Sequence, residues 1–195
     1  MAHERMFHHG HSHKLDDPER EQYLPSAEVV ARLALRAGMN VADVGAGTGY
    51  FALPMARVLA PGGTLFAVDV QPEMLEKLRA RLEPGMPVKL VEGDAAKTTL
   101  EGASVDLAFL ANVFHEIDDR GAALDEMARV VRLGGRLAIV DWHPAAERLA
   151  GPPLDHRVAV AEVRAELERH GWRVSDASDV GRFHYLVIAS RARAK

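Results

Sequence analysis

Residues 41–49 read VADVGAGTG: an apolar strand pattern carrying one acid, Asp43, that runs into a loop with glycine at alternate positions. Glycine is used where the backbone must turn with positive φ, or where a neighbour comes closer than a Cβ would allow. Gly45, Gly47 and Gly49, directly after a buried-strand pattern, therefore predict a nucleotide-type cradle at a strand's carboxyl end. A dinucleotide site has the spacing G-x-G-x-x-G/A, and counted from Gly45 its last small residue falls on Tyr50. Asp43 adds a second objection to a dinucleotide, because a carboxylate so close to the cradle repels a pyrophosphate and attracts a cation.

The run Asp43-x-Gly45-x-Gly47-x-Gly49 resembles the first motif of the class I S-adenosylmethionine-dependent methyltransferases, (hydrophobic)-x-D-x-G-x-G-x-G. Their donor carries no phosphate but does carry a sulfonium and an ammonium, which suits an acid beside a glycine cradle. The resemblance implies an α/β fold: a Rossmann-like, doubly wound, seven-stranded sheet, mostly parallel with an antiparallel last strand, and helices on both faces. It implies S-adenosyl-L-methionine as cofactor and S-adenosyl-L-homocysteine as product. Asp43, Gly45, Ala46, Gly47 and Gly49 would form the cradle.

Composition allows one domain with a full core, divided here into a His-rich terminus and helical cap (1–40) and a Rossmann-like core (41–195). A hydrophobic share of 48% with 27% charged residues is ordinary for a globular protein, and a net charge of −4 offers no footprint for nucleic acid or an anionic membrane. With no long apolar run and no apolar leader pattern, a cytoplasmic location without stable membrane association is the expectation. The absence of cysteine removes disulfides, thiolate nucleophiles and Cys–zinc sites, and with them the methylations of C5-cytosine and of thiol-held arsenic.

Residues 3–13 hold five of the ten histidines in irregular spacing. Such a segment reads as a loosely ordered terminus, with His8, His9, His11 and His13 as weak metal candidates. Asp17-Pro18-Glu19 is a helix start, and a second helix with Val29, Val30, Leu33 and Ala34 on one face should end at Gly38, the pair covering the cradle. After the cradle, Phe51, Met55, Val58 and Leu59 repeat at helical spacing up to Pro61-Gly62-Gly63.

The strand TLFAVD then ends at Asp69, about 20 residues beyond the loop, where an acid accepts hydrogen bonds from ribose hydroxyls. A helix over 70–82 and a strand over 86–94 follow, the latter closing on Gly93-Asp94. By resemblance, Val70 lines the adenine ring and Asp94, with Ala95, lies near its amino group; the residues also allow Asp94 to be a plain turn residue.

Residues 95–104 are too short for a crossover helix, so a loop or single turn is expected before the buried strand VDLAFLAN. Its end, Asn112-Val113-Phe114-His115-Glu116, faces the ligand crevice in a doubly wound sheet. In the resembled family this stretch often reads LHH; His115 matches the first histidine and Glu116 departs from the second. Asn112 joins the expected cofactor contacts. Asp118 and Asp119 are helix caps for a face of Ala123, Leu124, Met127, Val130 and Val131, a helix ended by Leu133-Gly134-Gly135 before the strand RLAIVD.

Asp141 and His143 follow on the crevice side, Pro152-Pro153 marks a loop, a helix runs from about 156 to 171, and residues 172–190 form an antiparallel pair about Gly181. His184 in that pair is expected to be a sheet histidine with its hydrogen bonds satisfied.

Methyl transfer is an in-line displacement that gains most from positioning, and a hydroxyl, enol or acidic-carbon acceptor also needs a base. His115, Asp141 and His143 are the catalytic candidates, in that order. The wider resemblance is to the ubiquinone/menaquinone-biosynthesis methyltransferase group, with a subgroup sharing the His-rich start, the segment Asp16 to Arg20 and Gly151-Pro152-Pro153. The pattern N/D-P-P-Y/F is missing after the fourth strand, so a small organic acceptor leads over DNA or glutamine. The oligomeric state stays open, a homodimer included. Two alternatives remain: an NAD-dependent oxidoreductase, and a non-catalytic metal-binding or sensing protein.

Overall fold

The computed structural model describes residues 17–144 and 151–191. Seven strands form one sheet in the order β3-β2-β1-β4-β5-β7-β6. These are β1 (Asn40–Val44), β2 (Thr64–Asp69), β3 (Val88–Glu92), β4 (Val105–Ala111), β5 (Val131–Trp142), β6 (Trp172–Val180) and β7 (His184–Arg191). Strand β7 is antiparallel to both its neighbours, β5 and β6, and the other pairings are parallel. The strand order reverses between β1 and β4, which is where a doubly wound sheet opens a crevice at its carboxyl edge.

Helices α1 (Arg20–Tyr23), α2 (Ser26–Arg32), α3 (Ala52–Leu59), α4 (Pro72–Arg79), α5 (Arg120–Val130) and α6 (Val160–Arg169) cover the sheet. Strand alternation sorts the core into two layers. Val41, Leu65, Phe109, Val140 and Leu186 pack with Val29, Met55 and Leu59 of α2 and α3. Val44, Leu110, Ile139 and Val187 pack with Leu124, Met127, Val163 and Leu167 of α5 and α6. Because β1 alternates Val41, Ala42, Asp43, Val44, the one acid in it falls on the α2–α3 side.

The sequence reading needs four local corrections. Helix α2 stops at Arg32, and Ala34 is exposed with φ 48°, because the chain turns at once toward β1; Gly38 closes that connection by donating its N–H to the Leu59 carbonyl (3.0 Å) instead of ending the helix. Val58, expected on the buried face of α3, is 38% exposed. Helix α5 ends at Val130, and the strand begins at once, taking in Leu133-Gly134-Gly135. Residues 131–136 bulge opposite 105–107, where a Cβ on Gly135 would come within 2.8 Å of the Asp106 carbonyl oxygen.

Finally, His184 is buried with neither ring nitrogen hydrogen-bonded among the described residues, so it is not the satisfied histidine expected of it. It lies against Trp142 (4.2 Å between ring centroids) and Tyr23 (6.1 Å), and burial pushes its pKa down to about 3.

The connection 95–104 is a loop, as its length required. It is held by a buried contact in which Glu126 Oε1 accepts from the Thr98 N–H (2.8 Å) and hydroxyl (2.6 Å) while Arg129 donates to the same carboxylate. The histidines of residues 3–13 lie outside the described residues.

Candidate functional site

The loop after β1 holds three glycines with φ of 77° (Gly45), 54° (Gly47) and 95° (Gly49), the left-handed region that side chains disfavour. At Gly45 there is also no room: a Cβ there would meet Val113 Cγ2 at 2.3 Å. Four of the loop's N–H groups are already engaged. Gly45 and Ala46 both donate to the Val68 carbonyl (2.8 and 3.0 Å), Gly49 donates to Ala46 (3.0 Å), and Gly47 donates to Asp69 Oδ2 (2.8 Å). A phosphate cradle works by presenting unengaged N–H groups to an anion. This loop instead presents two acids.

Asp43 is 3% exposed and Asp69 7%. Burial, reinforced by the neighbouring Asp69 charge and only partly offset by Arg20, pushes the Asp43 pKa up to about 7. Asp69 is also raised by burial, against hydrogen bonds from the backbone of Gln71, Gly47 and Val70. Two carboxyls crowded in low dielectric gain from any cation that joins them. The donor set therefore fits a sulfonium and ammonium ligand and does not fit a dinucleotide.

Sequence reasoning missed Arg20, which is 6% exposed in α1 with its guanidinium 4.0 Å from the Tyr50 ring centroid. Tyr50 in turn donates its hydroxyl to the Leu24 carbonyl (2.5 Å), so α1 and its following turn are fastened over the loop. No spacing rule marks an arginine for burial; the only sequence signal was its place in a short helix just ahead of the cradle.

The other predicted contacts divide. Asn112 follows β4 with φ 58°, and its Oδ1 is buried without a hydrogen-bond partner among the described residues, as a ligand contact would leave it. Val70 is 43% exposed beyond β2. Asp94 is exposed and its carboxylate accepts from the Ala96 N–H (2.7 Å), the turn role allowed for it, with half-buried Ala95 inside that turn.

His115 and Asp141 are brought together. Asp141 is fully buried and accepts three N–H groups: the His115 ring Nδ1 (2.7 Å), the His115 backbone (3.0 Å) and the Trp142 backbone (2.7 Å). Asp141, expected on the crevice side, lies near the carboxyl end of β5 and is buried against His115. It holds the His115 ring through one hydrogen bond, at Nδ1, and the adjoining backbone through the other.

Nε2 of His115 faces Glu116 Oε1 at 3.7 Å. Burial opposes charge on the ring, but the Asp141 carboxylate, its hydrogen bond and Glu116 prevail over burial and Arg120, raising the His115 pKa. His143 is not part of this pair. Its backbone donates to Phe183 (2.7 Å) and its ring sits edge-on to Tyr185, centroids 6.5 Å apart.

Among the described residues no group of three or more His, Asp or Glu side chains converges to hold a metal ion. A groove of about 380 Å³ between α5 and α6, lined by Ile117, Asp118, Arg120, Glu166 and His170, shares no residue with the loop. A second groove of nearly the same size, about 370 Å³, borders the loop at Gly49 and Tyr50, so shape does not choose between them and the buried carboxylates favour the loop.

Residues 42–139 match the family model described as a methyltransferase domain. The chain belongs to the methyltransferase-domain family. A crystal structure of an S-adenosylmethionine-dependent methyltransferase from Aquifex aeolicus superposes with a TM-score of 0.88 at 32% identity, covering 94% of this chain and 98% of that one. An uncharacterised methyltransferase of Mycobacterium tuberculosis is 36% identical over 163 residues, covering 77% of this chain and 63% of the relative.

A ubiquinone/menaquinone biosynthesis C-methyltransferase of Bordetella parapertussis is 31% identical over 125 residues, covering 64% of this chain and 48% of the relative. The chain thus spans less than two thirds of the length of these curated relatives. The methyltransferase-domain match takes in β1 from Ala42 onward, the glycine loop, Asp69, Asn112 and His115, and ends two residues before Asp141.

Proposed function

We propose that the protein transfers a methyl group from S-adenosyl-L-methionine to a small organic acceptor, releasing S-adenosyl-L-homocysteine. The observation that carries this reading is the pair of buried carboxyls, Asp43 and Asp69, against a glycine loop in which the N–H groups of Gly45, Ala46, Gly47 and Gly49 are already engaged. S-adenosyl-L-methionine supplies an electrophilic methyl on a positively charged sulfur, and no other cofactor is called for.

The chain's own residues bind and orient. Gly45, Ala46, Gly47 and Gly49 let the donor approach the loop backbone, Asp69 faces the ribose, Asp43 gives up its proton and becomes the counter-charge when the cation binds, and Val70, Asp94 and Ala95 border the adenine. Asn112 Oδ1 accepts a hydrogen bond from the donor. His115, locked by Asp141, turns Nε2 toward the acceptor.

Calorimetry with S-adenosyl-L-homocysteine and with NADH tests the donor. Binding of the first and not the second is expected, and tighter binding of NADH overturns the reading. Incubation with methyl-labelled donor and a metabolite extract, followed by identification of the labelled product, names the acceptor.

A further inference from the structure

We propose that His115 and Glu116 form a two-point site for a hydroxyl group of the acceptor, in which Glu116 takes the hydroxyl proton and His115 Nε2 donates a hydrogen bond to the oxygen; this rests on the methyl-transfer reading above. Glu116 is then a catalytic residue, while Asp141 is a positioning residue.

The geometry starts from Asp141. Asp141 anchors the His115 backbone by one hydrogen bond and the ring Nδ1–H by another, so turning the ring breaks a 2.7 Å bond to a buried carboxylate, and Nε2 is directed away from Asp141. Glu116 Oε1 lies 3.7 Å from Nε2, too far for a good hydrogen bond between them. One oxygen atom at ordinary hydrogen-bond distance from each would bridge them, accepting from Nε2–H and donating its own hydrogen to the carboxylate.

A hydroxyl suits this bracket better than its competitors. Oxygen has two lone pairs, so one can accept from Nε2–H while the other attacks the methyl. An amine nitrogen has a single lone pair, which the attack itself consumes. A carboxylate or phosphate acceptor has no proton to give and meets two acids, Glu116 and Asp141.

The groups facing the ring are Asp141 on β5, Glu116 on its own turn, Arg120 at the start of α5 and His184 on β7. Burial opposes charge on the ring, but the two carboxylates together outweigh it and Arg120, and the ring pKa is raised. An imidazole protonated on both nitrogens cannot be the base, but it is a strong donor to a developing alkoxide or phenolate.

In the step itself the acceptor O–H bond breaks and its proton goes to Glu116 Oε1. The oxygen's electron pair forms the O–CH3 bond as the S–CH3 bond breaks, its pair remaining on sulfur to leave a neutral thioether. The proton on Glu116, whose side chain is 19% exposed, then passes to solvent.

The test is nitrogen-15 NMR of the His115 ring in the full chain, free and saturated with S-adenosyl-L-homocysteine, for the parent and for Glu116→Gln, with calorimetry on both. The expected result is both ring nitrogens protonated at neutral pH in the parent, a lower His115 titration midpoint in Glu116→Gln, and unchanged affinity for S-adenosyl-L-homocysteine. A bare Nε2 in the parent, or a midpoint that Glu116→Gln does not move, overturns the proposal.

With the acceptor named by labelling, Glu116→Gln should lower kcat by about 100-fold with little change in KM, and activity should require an ionised Glu116 together with a protonated His115. A product methylated on nitrogen contradicts the proposal. Failure of S-adenosyl-L-homocysteine to bind the parent sinks the methyl-transfer reading instead, and the NMR of the free protein still decides whether Glu116 faces the ring.

Discussion

Replacing Asp43 by asparagine removes a buried acid whose pKa stands at about 7 instead of the ordinary 3.8. In the unfolded chain the carboxyl loses its proton near pH 4, whereas in the folded protein it keeps the proton until about pH 7. Folding therefore binds a proton across that window, and stability falls as pH rises through it. About three pKa units at roughly 1.4 kcal/mol each amount to about 4 kcal/mol in all, of which about 2–3 kcal/mol is lost between about pH 5 and pH 8.

Asparagine has nearly the same shape and does not titrate. Urea unfolding of parent and Asp43→Asn at these two pH values should show the variant gaining about 2–3 kcal/mol on the parent toward the alkaline end. The same variant should bind S-adenosyl-L-methionine more weakly, since the acid that costs stability is the one that attracts the cation. A stability difference that does not change with pH would show that Asp43 is not held protonated, and the argument from burial would fail with it.

Gly45→Ala should cost about 1–3 kcal/mol in thermal or urea unfolding, because the new Cβ meets Val113 Cγ2 at a φ of 77°; Val113→Ala in the same chain should recover part of the loss. His184→Phe should stabilise the fold, and more at about pH 5 than at pH 8, by about 1–2 kcal/mol. The reason is that the unfolded histidine takes up a proton below its ordinary pKa while the buried ring refuses it down to about 3. Equal effects at both pH values contradict this.

Glu126, whose pKa the Arg129 side chain lowers to about 2 against burial and with help from Thr98, stabilises above its ordinary range and loses that contribution as pH falls through it. Glu126→Gln should flatten the acid limb of the stability profile by about 1–2 kcal/mol, the half-exposed Arg129 limiting the size.

The parts of the fold that were legible in the sequence are those whose cause is local. TLFAVD could only be a strand ending in an acid, and β2 runs from Thr64 to Asp69. Asp119 was readable as a cap, and its carboxylate accepts from Ala122 (2.9 Å). The strand pair about Gly181 followed from alternation on either side of a glycine.

The misreadings lie where tertiary contact overrides local preference. Ala34 fits a helical repeat, but the chain must leave α2 to reach β1. Leu133-Gly134-Gly135 looks like a helix stop, yet pairing with β4 draws those residues into a bulge.

At the site, the glycine loop and Asp69 were legible because their spacing is itself the chemistry. Arg20 was not, because an arginine over a tyrosine ring is set by how α1 folds back on the loop. The burial of Asp141 and its hydrogen bond to His115 were not legible either, because they depend on strands far apart in sequence.

The most direct measurement of the central claim is a calorimetric titration of the full chain, and of Asp69→Ala, with S-adenosyl-L-homocysteine. The expected result is one site per chain in the parent and at least about a tenfold loss of affinity in the variant, as removing a buried carboxylate contact implies. Equal affinity in the two proteins, or no binding to the parent, would contradict a donor site built on Asp69 and the loop of residues 45–49.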